Sequence, residues 1–126
     1  MNDQVRLDVS LSTARMRGEG TAPALVTRSS LRHLYWTVQQ LVTHHASNGC
    51  NLRPGDLLGT GTVSGPTRDS RGCLLELTWR GTEPLTLGSE TRRFLEDGDE
   101  VIFRGWCERD GAIRVGFGEC RGVVAG

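Results

Sequence analysis

The residues best suited to chemistry lie between Asn51 and Glu76, NLRPGDLLGTGTVSGPTRDSRGCLLE. Gly59 to Pro66, GTGTVSGP, packs three glycines and three hydroxyls into eight positions. Such a run lets the backbone approach another group closely and offer it N–H and O–H donors, as holding a carboxylate or oxyanion requires. On residue types alone, a plain glycine-rich hairpin is the simpler reading. A phosphate loop is excluded, because the GK[ST] ending is missing. Glu76 sits in Cys73 to Trp79, CLLELTW, an otherwise apolar run that reads as a strand. An ionised carboxylate there needs a partner. On residue types, a nearby arginine such as Arg80 is the plain candidate.

Other polar groups carry weaker signals. His44 and His45 are adjacent, about 100° apart on a helix, and do not face one ion together. His33 lies three turns from His44 and reads, like the other two, as helix surface or hydrogen-bonded core rim. Asp97-Gly98-Asp99 has the look of half a calcium loop, but the other ligands of such a loop are missing and an acidic turn is expected. Cys50, Cys73, Cys107 and Cys120 contain no CxxC pair, so they are expected reduced and mostly buried, without metal or disulfide.

The 126 residues suffice for one domain. Fifteen basic and fifteen acidic residues cancel and are scattered, so neither nucleic acid nor an anionic membrane is an implied partner. All fifteen basic residues are arginines, which rules out a lysine Schiff base within the chain. No apolar run approaches a membrane span, and Met1 is followed by Asn-Asp, not a leader pattern. A soluble, cytoplasmic protein is expected.

The elements that must position these groups follow from periodicity. Val5 to Leu11 alternates as a strand with one covered face, and Ala14 to Thr27 reads as a loop or short exposed strand turn. Leu31, Leu34, Tyr35, Val38, Leu41, Val42 and His45 fall at helical spacing and predict one long helix of about four turns, capped by Ser29 or Ser30 and ended at Asn48-Gly49. Asn51 to Asp56 is a sharp turn, after which Leu57-Leu58 would start an apolar strand. Thr78 to Gly88 predicts two short strands about a turn, Glu100 to Cys107 a strand, and Arg109-Asp110-Gly111 a hairpin turn returning Ala112 to Phe117. Gly118 would kink the chain before Cys120 to Val124. The expected class is mainly β with one long α-helix, as in a sandwich or rolled sheet.

Longer motifs carry a resemblance. YWTVQQLVTHHASNGCNLRPGDLLGTGTVSGP, LLELTWRGTEPL, TRRFLEDGDEVIFRGWC and VGFGECRGVV, in that order, resemble the C-terminal part of the fumarylacetoacetase family, strongly from Leu34 onward. The resemblance implies part of a mixed β-sandwich roll, a homodimer, and hydrolysis of a C–C bond in a small diketo acid. It implies that Glu76 orients an active-site histidine, and that Thr62, with Gly61, contacts the substrate carboxylate. It also implies a Ca²⁺ or Mg²⁺ ion, held by aspartates and an E-x-E pair upstream of everything seen here, together with a histidine and a lysine. No E-x-E pair, lysine or matching histidine appears before Val5, so residues 1–126 are expected to be the C-terminal portion of the catalytic domain, with no metal ligand of their own. The rival expectation is a truncated, non-catalytic binding or assembly module of the same fold.

Overall fold

The structure, a computed structural model, describes residues 4–126. Met1, Asn2 and Asp3, on which the lack of a leader was read, lie outside the described residues. The architecture is mainly β. Strands β1 (Val5–Ser12), β2 (Ala24–Ser30), β5 (Glu100–Cys107) and β6 (Val115–Val123) form an antiparallel sheet in the order β2-β1-β5-β6, and β3 (Leu85–Leu87) pairs with β4 (Glu90–Arg92) in a separate hairpin. Three short helices interrupt the strands: α1 (Ala14–Gly18), α2 (Val38–Ala46) and α3 (Leu74–Leu77).

The alternation in Val5 to Leu11 does make the central strand β1, because a period of two puts Leu7, Val9 and Leu11 on one face. Leu11, Met16 and Leu87 form the buried core, with Ala24, Val26, Leu74 and Val101 packed against it. Strand β1, helix α1, the β3–β4 hairpin and α3 therefore meet at one end of the sheet. Thr13 joins them by accepting the Met16 N–H, which caps α1, and by donating to Glu90 of β4.

Several expectations need correction. The segment Ala14 to Thr27 is not a loop: it contains α1 and the start of β2. The long helix is absent. Leu31–His33 is a single 3₁₀ turn capped by Ser30, and α2 begins only at Val38, where Thr37 and Gln40 form a capping box that nucleates a nine-residue helix. No residue of α2 is fully buried, so no packing surface extends the helix backward along the apolar stripe. Gly49, at φ 86°, does take the left-handed conformation expected after it. Leu57-Leu58 starts no strand, and Leu57 is 98% exposed. The cysteines, expected mostly buried, are not: Cys50 and Cys120 are exposed and the other two half-buried.

The acidic turn at Glu96 to Asp99 has a structural task. Asp99 is 2% exposed and accepts from Arg92 through both oxygens, at 2.8 and 3.1 Å, and from the Glu96 N–H at 2.9 Å. Hydrogen bonding to Asp99, outweighing the effect of burial, holds the Arg92 guanidinium above its ordinary pKa. The same turn ties down the C-terminus, since Gly98 N–H donates to Val124 and Val124 N–H to Asp99. Removing the acid would strand a largely buried arginine. Asp99→Ala is expected to cost about 3 kcal/mol or more, read by urea denaturation; a loss below about 1 kcal/mol would mean that Glu90 and Glu96 suffice as partners.

Candidate functional site

Glu76 owes its position to its neighbours. In α3, Leu74 and Leu77 stand three residues apart on one helical face, where Leu74 packs on the core and Leu77 is buried. Leu75 and Glu76 are consequently turned outward, and both are exposed. The turn is closed by Thr78, whose hydroxyl donates to Leu74 O at 2.7 Å and accepts the Gly81 N–H at 3.0 Å. Trp79 and Arg80 then take left-handed backbone, at φ 45° and 58°, before Gly81 at 82°. CLLELTW is thus a helical turn and not a strand. In so short a run, the Leu74/Leu77 spacing outweighs β propensity once a core lies beneath it.

The glycine-rich run lies beside this turn. Ser64 Oγ donates to Glu76 Oε2 and accepts the Gly72 N–H at 3.0 Å. The same N–H reaches Glu76 Oε2 at 3.2 Å. Among the described residues, Glu76 Oε1 has no hydrogen-bond partner and no ion pair joins Glu76 to Arg80. The expected buried acid is therefore an exposed one, anchored by one oxygen with the other open.

Two glycines allow the loop to sit this close. A Cβ on Gly72 would lie 2.5 Å from Val63 O and 2.7 Å from the Thr62 methyl. A Cβ on Gly65 would lie 2.5 Å from Ser70 Oγ and 2.9 Å from His33 Cδ2. Gly65 N–H donates to Ser70 O at 2.8 Å, and Thr27 Oγ1 donates to Arg71 O at 2.8 Å, which pins the second segment to the sheet. Thr62 and Glu76 thus converge on Gly72 from two sides.

Gly61 and Thr62 line a cleft of about 410 Å³ over the sheet face, floored by Leu7, Val9, Phe103 and Phe117. Glu76 is not among the residues lining it. Gly105 makes room for the floor, because a Cβ there would meet the Phe117 ring at 2.9 Å. Asp8, paired with Arg28, and Glu119, paired with Arg104, also line the cleft. The hydrogen bond from Arg104 holds the Glu119 carboxyl below its ordinary value. The Thr62 hydroxyl and the Gly61 and Thr62 N–H groups make no hydrogen bond within the chain among the described residues, and both residues are exposed. They are donors available to an anion.

Of the residues singled out from sequence, the structure brings Thr62, Gly61 and Glu76 onto neighbouring segments. It leaves the histidines apart: His33 packs near Gly65, while His45 lies 3.4 Å from Cys50 Sγ. Among the described residues no three His, Cys, Asp or Glu side chains converge as for a metal ion. Sequence reasoning missed the individual roles of Ser64 and Gly72. Ser64 was one of the three hydroxyls already counted; nothing local marks Gly72, whose neighbours across the gap, Thr62, Val63 and Ser64, lie well back along the chain.

A small antiparallel sheet thus carries, on neighbouring segments beside a cleft, a loop with unoccupied donors and a glutamate anchored through one oxygen. Residues 4–125 match the family described as fumarylacetoacetate (FAA) hydrolase C-terminal, and the chain belongs to that family. It is 52% identical to a fumarylacetoacetase of Arabidopsis thaliana over 122 residues, covering 97% of this chain and 29% of the relative. It is 54% identical to that of Bos taurus and 52% identical to that of Homo sapiens, each over 119 residues, 93% of this chain and 28% of the relative. The chain thus spans less than a third of the length of these curated relatives.

Two outcomes test the geometry. Gly72→Ala should cost about 1–3 kcal/mol and speed amide exchange across residues 61–65, because the methyl meets backbone that cannot swing aside; unchanged exchange would show the approach to be loose. Glu119, lowered in the folded state, stabilises the fold above the ordinary glutamate pKa of about 4.3 and loses that contribution as pH falls through its lower folded value. Glu119→Gln should therefore lower Tm slightly at neutral pH and by nothing once both states are protonated. A Tm difference independent of pH would exclude the Arg104 pair as its source.

Proposed function

We propose that this chain is the C-terminal portion of a fumarylacetoacetase, which hydrolyses fumarylacetoacetate to fumarate and acetoacetate in tyrosine and phenylalanine breakdown. The observation that carries this reading is Glu76 anchored through Oε2 with Oε1 open, one glycine away from a loop of unoccupied donors at Gly61 and Thr62. The relatives' shared name favours it over a non-catalytic binding or assembly module.

The chemistry follows from the groups present. The open oxygen of Glu76 accepts the N–H of a histidine contributed from outside residues 4–126 or by a second chain, fixes its tautomer and stabilises the charge it gains. The other ring nitrogen removes a proton from water as the oxygen adds to the ketone carbonyl carbon of the fumaryl group, which becomes the second carboxyl of fumarate. The C–C bond then breaks, its electron pair passing to the acetoacetate carbon, which takes up a proton. Thr62, with Gly61, holds a substrate carboxylate through O–H and N–H donors.

The family resemblance implies Ca²⁺ or Mg²⁺, but among the described residues no three His, Cys, Asp or Glu side chains gather to hold such an ion. Upstream aspartates and an E-x-E pair would supply those ligands. The completed mixed sandwich roll, the homodimer and the cytoplasmic location belong to the same proposal; the surface area supports only that this chain packs against further segments. The chain exposes 8812 Å² at 13.8 kDa, where a compact monomer of that mass exposes about 6,600 Å².

Two measurements test the reading. The 126-residue chain incubated with fumarylacetoacetate and Mg²⁺ should show no substrate loss, and turnover would overturn the assignment of base and metal ligands to other residues. In a family-length enzyme containing this segment, Glu76→Gln should lower kcat about a hundredfold or more while Tm and KM hold. Unchanged kcat would refute the orienting role.

A further inference from the structure

Resting on that reading of Glu76, the geometry points to Ser64 as a positioning residue for the reaction, acting through the glutamate without touching substrate. An ionised carboxylate only accepts, so the contact between Ser64 Oγ and Glu76 Oε2 requires the hydroxyl to donate. Its lone pair is meanwhile taken by the Gly72 N–H at 3.0 Å. The hydroxyl rotor is thereby fixed, and Gly72 N–H, Ser64 O–H and Glu76 Oε2 form a directed relay in which each bond polarises the next.

Ser64 is itself held from both sides. Val63 O lies against Gly72, and Gly65 donates to the buried Ser70 at 2.8 Å while its Cα has no room for a side chain. Glu76, by contrast, is an exposed side chain on a four-residue helical turn, where its three torsions would otherwise wander. Anchoring Oε2 selects one rotamer and leaves Oε1 as the oxygen that faces a partner. A base oriented by a glutamate that samples several rotamers spends little time in the attacking geometry, so the loss appears in kcat and spares substrate binding.

The test uses a family-length enzyme containing this segment, with steady-state kinetics on Ser64→Ala, Ser64→Thr, Glu76→Gln and the Ser64→Ala/Glu76→Gln double variant, each checked for thermal stability. Ser64→Ala is expected to lower kcat about tenfold to a hundredfold with KM within about twofold. Ser64→Thr, which keeps the donor, should recover most of kcat, a response that a purely structural role would not give. In the Glu76→Gln background, Ser64→Ala should have little further effect, because one unit has already been broken. Should Glu76→Gln lose kcat while Ser64→Ala does not, the relay fails and the role of Glu76 stands. Losses that multiply in the double variant would show Ser64 acting on its own, and would overturn its positioning role. If Glu76→Gln itself leaves kcat intact, the underlying reading falls instead, and the relay with it.

Discussion

The site depends on a contact that a single methyl group would prevent: the backbone of Gly72 against the carbonyl of Val63. Because nothing projects from Gly72, its N–H reaches both Ser64 Oγ and Glu76 Oε2, and the loop carrying Thr62 comes to rest beside the turn carrying Glu76. Everything else about the site follows from how those two segments are fixed to the sheet. Thr27 holds one through Arg71, Leu74 and Leu77 sink α3 into and beside the core, and Ser70 holds the other through Gly65. The arrangement is a close approach of two irregular segments stabilised by regular structure underneath. Binding and catalytic groups commonly sit on such loops over a scaffold.

Division of labour within the acidic residues is equally plain. Asp99 is buried, satisfied at both oxygens, and spent on joining the β3–β4 hairpin to the start of β5. Glu119 and Glu108 are exposed and held below their ordinary pKa by hydrogen bonds, from Arg104 and from Trp106 respectively. Glu76 alone of these four has one oxygen anchored and the other open. On the proposed reading, that open oxygen is the one an incoming N–H would reach.

The surface has its own meaning. Strand β6 is exposed along all nine residues, and Phe103, Val115 and Phe117 keep half or more of their area accessible. With so few fully buried apolar side chains, this sheet resembles one layer of a larger packing arrangement. That matches a chain spanning less than a third of its relatives' length.

Sequence by itself determined the parts governed by local periodicity and turn chemistry. The alternation in β1, the β-branched and aromatic run of β5 and the left-handed Gly118, at φ 82°, appear as the pattern requires, and Arg109 to Ala112 does turn, although the returning strand starts at Val115 and not at Ala112. The long motifs were legible too, and with them the family. Tertiary structure alone decided three things. It ended the long helix, because the apolar stripe from Leu31 to His45 finds no surface to bury it, and a capping box at Thr37 starts a shorter one. It made CLLELTW a helical turn, since a pair of leucines three apart serves strand or helix until a core takes one side of them. And it joined Ser64, Gly72 and Glu76, whose meeting rests on the absence of a side chain across a gap in the sequence, a fact that no local pattern records.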